Sequence, residues 1–368
     1  MSQKTAPSGV SVVALDGEMK EKLHLHDGAP PPAAKCSAMM QKRCRVPEGA
    51  DVGDYRERFV RAYDRLRDEL VADDSCELTD EAKRWVAQMI DYNVPGGEEA
   101  YIRFSLGSCI FQACALLLDD IMDDSHTRRD QICWYKKPEV GLTGINDGIL
   151  LKCHIARLIK KYFREKPYYI DISELWNEIA LQTSLGQMLD LISTHNGADN
   201  LAKYSIEGYR RIVKYKTSYY SFYLPVACAL LLSGAQLDSF SGLRDILVEM
   251  GIYFQAQDDY LDCFADPNTI GKIGTDIEDH KCSWLIVQAL GHADRNQIEV
   301  LHNYYGKKDT NSVSKVKSTY SALDLKDIFS EFEDRAYKHL VTSIEAQQDR
   351  AVQEILKSFL KKIHRRKK

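Results

Sequence analysis

From Tyr55 onward the apolar residues recur at helical spacing. Tyr55, Phe59, Tyr63, Leu66 and Leu70 fall every three or four positions, with Arg56, Glu57, Arg61 and Asp64 between them. That pattern predicts a helix with one buried face. The same period predicts helices over 81–92, 101–121, 148–163, 172–192, 206–232, 243–264, 282–290 and 331–363. Strand-like alternation is nearly absent. Connections such as NVPGG, REKPYY, STHNGADN and ADPNTIGKIG are short and carry Gly, Pro or Asp, as breaks between helices do. The expectation is an all-α domain of about ten helices over 51–368. Residues 1–50 contain GAPPPAAK and scattered charge without a sustained period, and are expected to form a disordered extension.

Composition narrows the class only a little. With 44% hydrophobic and 28% charged residues the chain is ordinary for a globular protein, and roughly 320 structured residues suffice for one large helical domain. Forty-nine basic against 54 acidic residues give a net charge of −5, so no global field points to nucleic acid. The ten cysteines show no CxxC pairs, which argues against a zinc site or a disulfide framework. Cys109, Cys114, Cys228 and Cys282 lie among apolar neighbours and read as small core residues of a reducing compartment. No apolar run reaches membrane-spanning length. Arg43 and Arg45 hint at an organelle address, whereas Asp16, Glu18, Glu21 and Asp27 argue against one. A cytoplasmic location is expected, with mitochondrial targeting by the extension as the alternative.

Two acidic clusters change the picture. Asp119-Asp120-Ile121-Met122-Asp123 is followed by Asp124 and Arg128-Arg129, and Asp258-Asp259-Tyr260-Leu261-Asp262 repeats the pattern. On a helix, Asp119 and Asp123 lie one turn apart on one face, as do Asp258 and Asp262. Carboxylates stacked this way repel each other unless a cation sits between them, and an all-oxygen site with open positions suits Mg²⁺ and phosphate oxygens. A single such run reads most simply as a solvated helix end. Two copies on apolar helices, with Arg128, Arg129, Lys216 and Lys272 in the neighbouring segments, point instead to a diphosphate site.

The blocks LLLDDIMDDSHTRRDQICWYKKPEVGLTGINDGILL, GQMLDLIS, VKYKTSYYSFYLPVA and QAQDDYLDCFADPNTIGKIGTDIEDHKCSWLIVQAL resemble the signature blocks of the farnesyl diphosphate synthase family of polyprenyl synthases, from about Tyr55 to the basic C-terminus. The resemblance implies an isoprenoid synthase bundle around a central cavity, a homodimer and three Mg²⁺. It implies metal ligation by Asp119, Asp123 and Asp258, with Asp120, Asp259 and Asp262 in support. Arg128, Lys216 and Lys272 would hold the allylic diphosphate, with Arg129 beside them. Thr217 and Gln255 would steady the first carbon–oxygen bond to break and the cation that follows. Such a cation needs a dry cavity with aromatic walls, for which Tyr219, Tyr220 and Phe222 are candidates.

Two departures from the family pattern shape the functional expectation. After Gly96-Gly97 the family carries Lys, then Arg three residues later, for isopentenyl diphosphate. Here Glu98 and Tyr101 stand there, and the following helix is missing, because EEAYIRFSLG runs almost directly into the helix bearing Asp119. A carboxylate beside a diphosphate repels it, by on the order of several kcal/mol. Arg103 is a candidate replacement cation, and Arg129, Gln112 and the tail KKIHRRKK remain. Glu98 and Glu99 are also ordinary residues for a helix's first turn. The second departure is the pocket floor, where Cys114 and Ala115 replace a pair of bulky aromatics and Phe111 stands one turn below. The resulting expectation is a terpene synthase that ionises farnesyl diphosphate, or geranylgeranyl diphosphate, with Mg²⁺. The alternative is a condensing enzyme making farnesyl or geranylgeranyl diphosphate, and the third reading is a silent subunit of a heterodimer.

Overall fold

The computed structural model describes residues 52–72, 74–94 and 106–366. The expected disordered extension lies outside these residues. So does the segment holding Gly96, Gly97, Glu98, Glu99, Tyr101 and Arg103, on which the impaired second site rested.

Thirteen helices of eight residues or more, a π-helical insert and one small hairpin make up the described chain. In order they are α1 (Val52–Val71), α2 (Asp80–Asn93), α3 (Leu106–Met122), the hairpin β1 (Thr127–Arg128) and β2 (Gln131–Ile132), α4 (Gly144–Phe163), α5 (Tyr169–Asp199) and α6 (Ile206–Val213). A π-helix, Lys214–Tyr223, joins α6 without a break to α7 (Leu224–Leu232). Then follow α8 (Leu243–Phe264), α9 (Trp284–His292), α10 (Arg295–Tyr304), α11 (Thr310–Ala322), α12 (Leu325–Glu345) and α13 (Arg350–Ile363). The all-α expectation holds, with more helices than the period revealed. The helix expected over 331–363 is two helices, because Asp349 caps a new start by accepting from the Ala351 and Val352 amides. Helices α10 and α11 start at similar signals: Asp294 forms a capping box with Gln297, and the Asp309 side chain accepts from the Ser312 amide.

One continuous hydrophobic core joins these elements, with Trp284, Tyr209, Tyr253 and Tyr320 fully enclosed. Helices α3, α5, α8 and the π-helix surround a central cavity of ≈ 1130 Å³. Close approach of backbones sets its width. A Cβ on Gly186 of α5 would stand 2.1 Å from the Lys216 amide nitrogen, so only glycine lets the π-helix lie against α5 at this height. Among the described residues no helix is long and apolar enough to cross a membrane.

Candidate active site

The two acidic clusters face each other across the cavity from α3 and α8. Asp119, Asp123, Asp258, Asp259 and Asp262 all line it. Asp120 does not. Its buried carboxylate accepts from Arg128 Nη2 at 2.6 Å and Nε at 3.1 Å, so it anchors the arginine rather than the cavity wall. Asp124 points outward to Lys136 and Tyr135.

Asp119, Asp123, Asp258 and Asp262 each meet an internal cation, whereas Asp259 accepts from the Gln255 side chain and the Trp284 amide. Lys216 Nζ lies 2.9 Å from Asp119 and 2.8 Å from Asp190. Lys281 bridges Asp123 at 2.7 Å and Asp190 at 2.9 Å. Lys272 reaches Asp258 at 3.0 Å and Asp262 at 3.5 Å. Arg366, near the C-terminus, stands 3.3 Å from Asp258 and lies over the Phe254 ring, so this part of the basic tail joins the site. Asp190, Lys281 and Asp276, which also line the cavity, were missed by sequence reasoning. Each stands outside the paired DDxxD spacing, and membership of the quoted blocks GQMLD and GTDIEDHK was their only signal.

Electrostatics follow from this arrangement. Burial would raise the Asp119 carboxyl, but Lys216, Lys281 and Arg128 hold it well below the usual carboxylate range. Asp258 is held low in the same way by Lys272 and Arg366 against its burial. Burial, with Asp119 one turn away, pushes Asp123 up to about 6, and burial raises Asp259 likewise to about 6. Asp262 and Asp276 are also raised, by burial and by neighbouring carboxylates. Lys216 is raised well above a free lysine, because Asp119, Asp190 and Asp123 outweigh its burial. These acids are oxygen donors crowded around ammonium groups that act as stand-in cations. That donor set fits Mg²⁺, which takes carboxylate oxygens and keeps positions for phosphate.

Arg128, Lys216 and Lys272 come from three separate segments. The hairpin turns at Arg129 and Asp130, both with positive φ (54° and 61°), as a two-residue turn between right-twisted strands requires. It thereby presents Arg128 and Arg129 side by side, both lining the cavity. The hairpin is tied to the segment of Lys272: the Asp130 amide donates to the Gly271 carbonyl (2.8 Å) and the Ile273 amide to Thr127 Oγ1 (3.0 Å). Lys216 and Thr217 come from the π-helix. Thr217 Oγ1 donates to Gln255 Oε1 (3.0 Å), and Gln255 donates in turn to Asp259 (2.9 Å). A π-helical stretch advances side chains differently from an α-helix and is often found at functional sites.

Below the acids the walls turn apolar. Phe111, Cys114, Ala115, Leu118, Tyr220 and Phe222 line this part of the cavity. Phe111 packs edge-on against Trp176 and Tyr220, with ring centroids 5.6 and 5.8 Å apart; Phe111 and Trp176 are buried and Tyr220 is half-buried. Tyr219 is not among the lining residues and packs against Tyr215 and Tyr223 instead. Gln112 is nearly fully buried and also lines the cavity.

Comparison with known proteins agrees with this geometry. The family model for polyprenyl synthetase matches residues 98–323. The chain is 53% identical to a farnesyl pyrophosphate synthase of Zea mays, over 86% of this chain and 97% of that protein. It is 50% identical to the mitochondrial farnesyl pyrophosphate synthase 1 of Arabidopsis thaliana, over 89% and 91%. Among solved structures, farnesyl diphosphate synthase of T. brucei complexed with risedronate superposes with a TM-score of 0.79 at 29% identity, over 85% of this chain and 99% of that one. The minodronate complex of the same enzyme gives 0.80 at 28%. These relatives overturn the expectation of a terpene synthase acting as a lyase. That expectation weighed two local departures, the segment 96–103 and the pocket floor at Cys114 and Ala115, above the rest of the chain, and the likeness to synthases extends over most of the rest. The chain belongs to the polyprenyl synthetase family.

Proposed function

We propose that this protein is a prenyltransferase of the farnesyl diphosphate synthase type, joining an allylic diphosphate to isopentenyl diphosphate with release of pyrophosphate. The observation that carries the reading is the convergence of Arg128, Lys216 and Lys272 from three segments onto one cavity between paired carboxylates. The likeness to the farnesyl pyrophosphate synthases of Zea mays and Arabidopsis thaliana supports it.

On this reading Asp119, Asp123 and Asp258 would hold Mg²⁺, three ions in all, with Asp259 and Asp262 in support, while Asp120 keeps Arg128 in place. When bound there, the metal would supply neutralisation of the charge that develops on the diphosphate. Arg128, Lys216 and Lys272 clamp the allylic diphosphate, so the departing oxygens meet fixed cations rather than water. Thr217 and Gln255 hold their dipoles against the carbon left behind. Arg129 stands beside Arg128 and faces the second diphosphate, aided by Gln112. The growing chain extends toward Phe111 past Cys114 and Ala115, whose small side chains leave room for a farnesyl or longer product. The final proton passes to the pyrophosphate released.

A homodimer is part of the proposal. Leu181, Leu185, Met188 and Ile192 are exposed at helical spacing along α5, an apolar stripe that a second copy of the chain would cover. The test of function is direct. Purified protein with Mg²⁺, geranyl diphosphate and labelled isopentenyl diphosphate should yield labelled farnesyl diphosphate, and chelation of the metal should stop it. Absence of any elongated diphosphate would reject the assignment.

A further inference from the structure

Asp147 of α4 is 2% exposed, and among the described residues no lysine or arginine pairs with it. Its carboxylate oxygens instead accept one indole N–H each: Trp85 Nε1 on α2 at 2.9 Å and Trp134 Nε1 after the hairpin at 2.8 Å. A buried carboxylate held only by neutral donors is a costly way to fill a core. What it achieves is position. Both indoles bind one residue and lie edge-on to each other at 6.1 Å.

From this point the last turn of α2 is held against the hairpin. The Tyr92 ring packs on Trp134 at 4.9 Å, and its hydroxyl donates to the Ile132 carbonyl at 2.6 Å. One residue further, the Asn93 carbonyl accepts from Arg129 Nη1 at 3.0 Å. Arg129 and Asp130 both sit in the left-handed region, a conformation that persists only where the surroundings over-determine it. Arg128 is fixed separately, by Asp120.

We propose that Asp147 is a positioning residue for the second diphosphate site, acting through Trp85 and Trp134 to set Arg129 against the end of α2. The inference rests on the prenyltransferase reading above, since it assigns Arg129 to isopentenyl diphosphate. Because Arg128 has its own anchor, loosening the clamp affects one substrate and spares the other.

The experiment is Asp147→Asn, which keeps the shape but turns an amide N–H₂ toward one of the two indole donors. KM for isopentenyl diphosphate should rise about tenfold, the size of one lost hydrogen bond to a charged group. KM for geranyl diphosphate and kcat should stay within about twofold, since uniform binding of one substrate is all that is removed. A change in melting temperature with both KM values unchanged would show a purely structural role and overturn the proposal. If the variant does not fold, Trp85→Phe removes one donor and keeps a ring, and it should give the same one-sided rise, roughly threefold. Equal KM values there would likewise overturn it. Wild-type protein measured alongside separates the two claims: no condensation by wild type rejects the prenyltransferase reading and this one together, whereas active wild type with an unchanged variant rejects the clamp alone.

Discussion

Asp119 shows how far single residues could be read. Its spacing to Asp123 places both on one face of α3, and the structure adds that Lys216 and Arg128 hold it ionised against its own burial. Asp119→Ala should therefore lower condensation by about 10²–10³-fold, the range seen when one charge-stabilising group is removed. Steady-state kinetics at saturating Mg²⁺ would check it, and a variant of wild-type rate would remove Asp119 from the site. Asp190 and Lys281 were not legible, because a lone charge on a helix or loop looks the same whether it faces solvent or a cavity. His154 on α4 is a different case. Among the described residues neither ring nitrogen has a hydrogen-bond partner, and burial lowers its pKa below the ordinary 6.5. A base with a depressed folded pKa binds its proton first in the unfolded chain, so stability fully present above pH 6.5 is lost as the pH falls from there through the lower folded pKa. His154→Leu should flatten this dependence. The drop in melting temperature between pH 7.5 and pH 5.5 should shrink by about a degree or two, and an unchanged drop would show that the acid sensitivity arises elsewhere.

At the scale of elements, the strongly periodic helices were visible almost to their ends; α8 was expected at 243–264 and is observed at Leu243–Phe264. The polar helices α10 and α11 were not expected, since their caps are clear but their apolar stripes are thin. The π-helix was not legible either. A register change from i+4 to i+5 hydrogen bonding alters where side chains point without altering which residues are apolar, and 206–232 therefore read as one helix. It is nonetheless the element that turns Lys216 toward Asp119 and Asp190 and Thr217 toward Gln255. The fit between this element and α5 depends on Gly186. Gly186→Ala inserts a methyl group against the Lys216 amide, and the backbone has to move, at a cost of about 1–3 kcal/mol. Activity should fall much further than stability, because Lys216 and Thr217 shift together. Circular dichroism melting and kcat measured on the same preparation would test that ratio. A variant losing stability but keeping kcat would mean that the π-helix tolerates displacement.

On the scale of the whole molecule, the site draws on elements spread from the hairpin to the C-terminus. Arg366 on Asp258 ties the last described residue to the second acidic cluster, and Tyr253 and Gln257 of α8 both donate to Glu333 of α12, so α8 is held from behind as well. Helix α5 carries the other long-range link. One face supplies Thr183 and Asp190 to the cavity, while another exposes Leu181, Leu185 and Ile192, with Met188 at the border between the two. Met122, at the end of α3, is exposed as well and meets Gln187 of α5. A partner covering that stripe would stiffen the wall that positions Asp190 against Lys216 and Lys281. Replacing Leu181 and Leu185 together by Asp places two charges in the stripe without substituting a residue that lines the cavity. Burying those charges at a contact is unfavourable, so the wild-type protein should sediment at twice the chain mass and the double variant at the chain mass, with the same far-ultraviolet dichroism. If the dimer steadies α5, the monomeric variant should also condense more slowly at saturating substrates. A double variant that sediments like wild type would place the subunit contact on another face, and a monomer of full activity would show that the cavity wall is rigid without its partner.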